Sequence, residues 1–268
     1  MDHHLQDDEK TCRLWSLGAR QVRWRNAPRP RIPLVGPPLL ASGPVTQEVR
    51  QLTFVRPPGA TDILLIRHGE SVPAREDAPF ELVEGHGDPE LDPVGVEQAE
   101  KVCARLAARS AGMTVDVIYV TTLRRTAETA APLAKALGLE PMVEADLREV
   151  FLGEWEGGVY RLKVNQRDPI SIRMLEEERW DVIPGAERDE DFATRVRSGI
   201  NRIASKHPDQ TVAVFTHGGV IGRAMAEASG SRPFSFLAAN NASISHLVVI
   251  GERWAVRCFN DTAHLGVV

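Results

Sequence analysis

Two histidines and several arginines stand in short polar motifs, each shortly after an apolar run of the chain. Arg67-His68 follows residues 63–66, His217 follows residues 211–216, and Arg125 follows residues 115–120. A guanidinium group presents a rigid fork of donors that matches phosphate oxygens, and an imidazole can act as a nucleophile when it is held in the correct tautomer. Any one of these residues alone would more often be structural. Together they predict a phosphate site with a nucleophilic histidine.

The apolar runs predict the elements that bring these motifs together. Residues 63–66, 115–120 and 211–216 are typical of buried strands, with further strands expected over residues 141–145, 243–250 and 254–260. Alternating strands and helices predict an α/β fold, a three-layer α/β/α arrangement with a mostly parallel central sheet. Ligands of such folds lie beyond the carboxyl ends of the strands, so we expect the three motifs to meet at one edge.

Several residues are predicted to mark helix ends. Asp92 and Pro93 form a helix start, with the aspartate as N-cap and the proline in the first turn. Thr122 is expected to cap a second helix that ends at Gly138. Residues 190–206 have the spacing of another amphipathic helix.

The composition places the chain among ordinary soluble globular proteins. Its 268 residues are 43% hydrophobic and 26% charged, with a formal net charge of −5. No apolar stretch approaches the ~20 residues that span a bilayer, so we expect no membrane partner. The acidic balance of charge gives nucleic-acid binding no support.

The cysteines stand singly and the start lacks the apolar core of a secretory signal, which makes a reducing cytoplasm the expected compartment. We expect no metal, because no histidine or acidic cluster has ligand spacing.

The beginning of the chain differs from the rest. Residues 11–47 contain many arginines and prolines but no acidic residue, and they show no sustained periodicity. We interpret residues 1–58 as an irregular Arg/Pro-rich N-terminal extension and residues 59–268 as the catalytic domain. Two alternatives are a PxxP docking motif at residues 30–33 and a transit peptide.

The sequence motifs resemble those of a known family. The histidine phosphatase superfamily, which also contains the cofactor-dependent phosphoglycerate mutases, has a signature similar to Leu65-Ile66-Arg67-His68-Gly69-Glu70-Ser71. The likeness continues over residues 88–99, 123–129, 147–157, 184–187, 216–219 and 260–265. It therefore covers residues 60–268 and leaves the N-terminal extension outside.

The resemblance implies roles for individual residues. His68 would be the nucleophile that accepts the phosphoryl group, and Glu149 would donate a proton to the leaving oxygen. The phosphate pocket would be completed by Arg67, Arg125 and His217. Ser71 follows the nucleophile and is expected either to donate to the phosphate or to stabilise the turn. No cofactor is implied.

Two positions on the long loop after the nucleophile, Ala74 and His86, bear on the shape of the site. Ala74 stands where many relatives carry an asparagine whose amide helps to hold phosphate, so a donor on that side is either absent or supplied by another residue. His86 is expected to be a solvent-exposed loop residue, with a role in covering the site as the alternative. Substrate groups beyond the phosphate are expected to contact residues 72–91 and 158–183.

The resulting hypothesis is a phosphomonoesterase of the histidine acid phosphatase type, acting on a small phosphorylated metabolite through a phosphohistidine. Residues 147–157 are similar to the phosphatase branch and lack the longer insertion of the mutases. The alternatives are a cofactor-dependent phosphoglycerate mutase and a non-catalytic relative that binds a phosphorylated ligand. The sequence is compatible with a homodimer.

Overall fold

The computed structural model describes residues 51, 53–108 and 114–266, so most of the predicted N-terminal extension lies outside the described residues. A central sheet has the strand order β5-β4-β6-β1-β7-β8, and β2 and β3 pair with each other as a separate two-stranded sheet. The strands are β1 (Thr61–Arg67), β2 (Leu82–Val83), β3 (His86–Gly87), β4 (Val117–Val120), β5 (Met142–Val143), β6 (Thr211–Thr216), β7 (Ile244–Ile250) and β8 (Arg253–Asp261).

Six α-helices are described. They are α1 (Pro93–Ala107), α2 (Arg124–Leu137), α3 (Val159–Asn165), α4 (Pro169–Glu177), α5 (Asp189–Lys206) and α6 (Gly218–Ser229). Over the described part of the chain, none of the helices combines the length and the apolar character needed to cross a membrane.

The predicted α/β class with a mostly parallel sheet is confirmed. Strands β5, β4, β6 and β1 pair in parallel, whereas β7 and β8 are antiparallel additions beside β1. In the pairing of β1 with β6, Arg67 lies opposite Thr216, so the two strands end level with each other. The residues that follow them therefore emerge side by side.

Helices cover both faces of the sheet. Along β1, Ile63 and Leu65 belong to the core that α5 and α6 share, whereas Leu64 and Ile66 belong to the core that α1 and α2 share. Successive side chains of a strand point to opposite faces, and here both faces are buried. This explains why the central strands are continuous apolar runs rather than alternating ones.

Two predicted boundaries are wrong. Helix α2 has Leu123, not Thr122, at its N-cap position, because a carboxylate from elsewhere supplies the cap: the Arg124 N–H donates to Asp88 Oδ1 at 2.8 Å. The strand expected over residues 141–145 is only two residues long. It is the edge strand beyond β4, and the chain turns into a short 3-10 helix at Ala145.

The turn after β1 is packed against the start of α1. The Asp92 side chain accepts a hydrogen bond from the Gly95 N–H at 2.7 Å, which is the predicted N-cap. The backbones are so close that a Cβ on Gly95 would lie 1.9 Å from the Glu70 carbonyl oxygen, and a Cβ on Gly69 would lie 2.5 Å from the Gly95 carbonyl oxygen. Only glycine fits at either position without movement of the backbone.

Candidate active site

His68 and His217 lie together at the carboxyl edge of the sheet. The His68 N–H donates to the Thr216 carbonyl at 2.9 Å, and His217 is the N-cap residue of α6. Their rings are tilted, with centroids 5.3 Å apart. The level ends of β1 and β6 thus bring the two predicted histidines together.

The ring of His68 is held in one tautomer. Its Nδ1 lies 2.7 Å from the Gly69 carbonyl oxygen, which can only accept a hydrogen bond, so Nδ1 carries the proton. Burial lowers the pKa of His68 well below its ordinary value, and the nearby guanidinium groups of Arg125 and Arg67 lower it further. His68 is therefore a neutral imidazole near pH 7, with its lone pair on Nε2.

His217 is fully buried beside His68. Its Nε2 shares a hydrogen bond of 2.9 Å with the Thr121 hydroxyl. Its Nδ1 is buried and finds no hydrogen-bond partner among the described residues. Burial, Arg125 and His68 together lower the pKa of His217 well below its ordinary value, so this ring is also neutral.

Two arginines flank the nucleophile. Arg67 donates to the Ala239 carbonyl at 2.6 Å, and its buried Nε has no hydrogen-bond partner within the described ranges. Arg125 is 7% exposed and donates to the Gly87 carbonyl at 3.0 Å. Burial lowers the pKa of Arg125 to about 10, opposed by the charges of Glu149 and Asp88, so Arg125 remains a cation at neutral pH.

Glu149 lies at the start of helix α6. Its Oε1 accepts a hydrogen bond from the Val150 N–H at 3.0 Å, and its Oε2 accepts one from the Gly219 N–H at 3.3 Å. The Arg195 guanidinium donates to the Glu149 carbonyl at 2.9 Å, which fixes the backbone. The predicted proton donor is thus held in place at the edge of the same cavity as His68.

Ser71 contacts an arginine that sequence reasoning did not single out. The Ser71 hydroxyl accepts a hydrogen bond from Arg161 at 2.6 Å, and the Val72 carbonyl accepts a second from Arg161 at 3.0 Å. Arg161 stands in the first turn of α3, on the side where a Cβ on Gly158 would come within 3.1 Å of the Ala74 Cβ. A guanidinium group therefore lies on the side where Ala74 has no donor to offer.

Arg67, His68, Arg125, Glu149 and Arg161 line a cavity of about 200 Å³, whereas His217 and Ser71 lie outside its wall. Both segments expected to contact the remainder of the substrate contribute to its wall, which includes four aromatic residues. The cavity is lined by Arg67, His68, Phe80, His86, Gly87, Pro89, Arg125, Glu149, Val150, Leu152, Trp155, Glu156, Gly158, Tyr160, Arg161 and Trp180. Burial raises the pKa of Tyr160 to about 12, so its phenol is neutral.

The expectation that His86 is exposed is wrong. His86 is 6% exposed, because β2 and β3 fold the loop back over the cavity and its ring packs edge-on against Phe151. Burial lowers the pKa of His86 to about 4, with Arg148 and Arg195 acting in the same direction. Its Nδ1 lies 3.6 Å from Glu156 Oε1, and with a neutral imidazole this contact is not an ion pair at pH 7.

The site as a whole is suited to an anion. Three arginines line the cavity, namely Arg67, Arg125 and Arg161, against the two carboxylates Glu149 and Glu156, and the nearby histidines are neutral. In the portion of the chain that the structure describes, no group of three or more His, Cys, Asp or Glu side chains could hold a metal ion.

Comparisons with known proteins agree on one family. A family model described as "Histidine phosphatase superfamily (branch 1)" matches residues 63–262. The chain is 32% identical over 208 residues to phosphoglycerate mutase-like protein 4 of Arabidopsis thaliana, which covers 76% of this chain and 86% of the relative. It is 32% identical over 209 residues to phosphoserine phosphatase 1 of Hydrogenobacter thermophilus, covering 76% and 94%. A solved mycobacterial glucosyl-3-phosphoglycerate phosphatase superposes with a TM-score of 0.61 at 25% identity, covering 76% of this chain and all of that one.

Proposed function

Because this chain belongs to the histidine phosphatase superfamily, we propose that it is a phosphomonoesterase that hydrolyses a small phosphorylated metabolite through a phosphohistidine intermediate. Relatives named as phosphatases, including phosphoserine phosphatase 1 of Hydrogenobacter thermophilus, support a phosphatase rather than a binding protein. The presence of Arg67, His68, Arg125 and Glu149 in the wall of one cavity supports this chemistry.

The observation that carries the proposal is the tautomer of His68. The hydrogen bond from Nδ1 to the Gly69 carbonyl leaves the lone pair on Nε2, and the lowered pKa keeps that lone pair free of a proton at neutral pH. A nucleophilic imidazole needs both conditions. Cationic Arg67 and Arg125 on either side supply the charge that an incoming phosphoryl group requires.

In the first step, His68 Nε2 attacks phosphorus in line with the ester oxygen. The new N–P bond forms as the P–O bond to the leaving group breaks, and the electron pair of that bond goes to the leaving oxygen. Glu149 acts as the general acid and transfers a proton to this oxygen, so that an alcohol leaves instead of an alkoxide. Donors from Arg67, Arg125 and His217 Nδ1 stabilise the charge on the other phosphoryl oxygens.

In the second step, water replaces the alcohol. Glu149, now a carboxylate, removes a proton from the water as its oxygen attacks phosphorus. The N–P bond breaks and its electron pair returns to His68 Nε2, which restores the neutral imidazole. Inorganic phosphate leaves and Glu149 again carries a proton, so the cycle is closed.

A phosphoglycerate mutase is the second candidate, because one of the similar proteins is named mutase-like. A mutase keeps the phosphorylated acid in the site while it reorients, whereas a phosphatase admits water. Stimulation of phosphoglycerate isomerisation by 2,3-bisphosphoglycerate would favour the mutase. Release of inorganic phosphate without that cofactor would favour the phosphatase.

The proposal is tested with His68→Ala, which we expect to abolish turnover of all phosphomonoesters. Rapid-quench labelling of the wild type should find acid-labile phosphate on His68. His207→Ala is the matched control, because His207 caps the far end of α5 and bonds Tyr119 and Gln210. Appreciable turnover by a folded His68→Ala protein, or labelling of another residue, would overturn the proposal.

A further inference from the structure

We propose that the substrate carries a second anionic group, a carboxylate or another phosphate, and that Arg161 at the mouth of the cavity binds it. This inference rests on the proposed function, because it takes the phosphoryl group to lie at His68. It narrows the substrate class from phosphomonoesters in general to those with a second negative charge.

The Arg161 guanidinium is fixed in the cavity wall. Two of its five N–H groups donate to the Ser71 hydroxyl and the Val72 carbonyl, at 2.6 and 3.0 Å. The carbon of the guanidinium lies 5.3 Å from the centre of the Phe80 ring, within the range of a cation–π contact. Such an arginine loses little side-chain entropy when it binds a ligand, because its side chain is already ordered.

Arg161 has no negative partner of its own. Across the described residues, the structure shows no carboxylate within 4.0 Å of it, whereas Arg124, Arg195 and Arg202 each pair with carboxylates. Its two hydrogen-bond acceptors are neutral, and the carboxylates of Glu70 and Asp92 act on it only through space, without an ion-pair contact. A guanidinium group with unused donors beside a cavity is a binding site for an anionic oxygen group.

The position of Arg161 assigns it to a group other than the transferred phosphoryl. His68 and Arg125 are only 4% and 7% exposed at the base of the cavity, whereas Arg161 is exposed at its mouth. Of the three cavity arginines, Arg161 also acts most weakly on the pKa of His68. The phosphoryl group at Nε2 is flanked by Arg67 and Arg125, and Arg161 meets the part of the substrate that extends outward.

The test compares substrates that differ in one group. In 3-phosphoglycerate a carboxylate replaces the hydroxymethyl group of glycerol 3-phosphate, and in glycerol 1,3-bisphosphate the second anion is a phosphate. We expect the wild type to have a higher kcat/KM for at least one of the two substrates with a second anionic group than for glycerol 3-phosphate. Arg161→Met should lower that ratio about 10- to 100-fold, the usual size of a charge-assisted hydrogen bond, chiefly through KM. Arg161→Lys keeps the positive charge but loses the planar pair of guanidinium donors, so it should give an intermediate ratio.

The matched control is Arg173→Met, which removes the same charge from α4, where Arg173 pairs with Glu177. This variant should leave the ratio unchanged. Equal losses on all three substrates in Arg161→Met would overturn the inference and make Arg161 part of the phosphoryl pocket. A wild-type ratio of one or less for both substrates that carry a second anion would also overturn it.

A binding experiment separates failure of this inference from failure of the proposed function. Calorimetric titration of His68→Ala with each of the three compounds measures the preference without turnover. We expect tighter binding of a compound with the second anion, and loss of that preference in the His68→Ala/Arg161→Met double variant. A wild type that hydrolyses no phosphomonoester would contradict the proposed function, whereas binding without this preference would overturn the present inference.

Discussion

Glu149 and Gly219 are in direct contact: the Gly219 N–H donates to Glu149 Oε2 at 3.3 Å, and a Cβ on Gly219 would lie 2.5 Å from Glu149 Oε1. The carboxyl group of the proposed proton donor therefore packs directly against the backbone of Gly219 in the first turn of α6. The positive end of the helix faces the carboxylate there. A side chain at this position would push the carboxylate away.

The first prediction is that Gly219→Ala lowers kcat/KM for alkyl phosphates by about tenfold or more. This loss is a fraction of the rate enhancement that general acid catalysis contributes. The backbone of the helix accepts alanine, so the effect should come from displacement of Glu149 and not from unfolding. Gly218→Ala is the control, because its Cβ would lie at an ordinary 3.4 Å from Arg67 Nε. Equal losses in the two variants would contradict the prediction.

The second prediction concerns the proton itself. Glu149→Gln keeps the size of the side chain but cannot supply a proton, so phosphoenzyme formation from an alkyl phosphate should slow by ~10²–10⁴-fold. Formation from nitrophenyl phosphate should slow far less, because nitrophenolate leaves without a proton. Single-turnover measurements isolate this step, and Glu154→Gln on the exposed part of the same loop is the control. Equal slowing of both substrates would mean that Glu149 only positions the phosphate.

The third prediction separates two roles for Ser71. If Ser71 acts by anchoring Arg161, Ser71→Ala should reduce the preference for substrates with a second anion, by less than Arg161→Met does. Adding Ser71→Ala to Arg161→Met should then have little further effect, since the two residues share one interaction. A uniform loss on all phosphomonoesters would instead support the sequence-based assignment of Ser71 as a phosphate donor.

The fourth prediction is a loss of stability in acid caused by His86. Its pKa is about 4 in the folded chain, against 6.5 ordinarily. As the pH falls from 6.5 toward 4, the unfolded chain takes up a proton that the folded chain does not, so folding is progressively disfavoured. Between pH 7 and pH 4.5 the free energy of unfolding should fall by about 2 to 3 kcal/mol more in the wild type than in His86→Gln. Urea unfolding at both pH values checks this, and equal losses would contradict it.

The fold and the base of the site could be predicted because short, continuous stretches of the sequence indicate them. Residues 63–66 and 211–216 are apolar runs that end at polar motifs, and parallel strands of similar length bring their carboxyl ends together. The positions of Arg67, His68 and His217 at one edge follow from this arrangement. The division at residue 58 stays a prediction, although the family match begins close to it, at residue 63.

The wall of the cavity could not be predicted in the same way. Arg161 lies on a short helix whose place depends on the packing of Gly158 against Ala74, and no periodicity encodes that contact. His86 is buried by a hairpin of two-residue strands, which is too short to leave a pattern. Thr122 has the right residue type for a cap, but Asp88 from a distant loop bonds the helix start instead.

The close packing of Gly69 against Gly95 has a consequence for the motions of the protein. The turn that bears His68 is bonded to both helices of one layer: the Gly69 N–H donates to the Thr129 hydroxyl of α2, and the Glu70 N–H donates to the Gln98 side chain of α1. Local opening of either helix would remove one of these two bonds, so the order of the turn beside the nucleophile depends on closure of this helix layer. Amide hydrogen exchange at Gly69 and Glu70 should therefore proceed no faster than the opening of this layer allows.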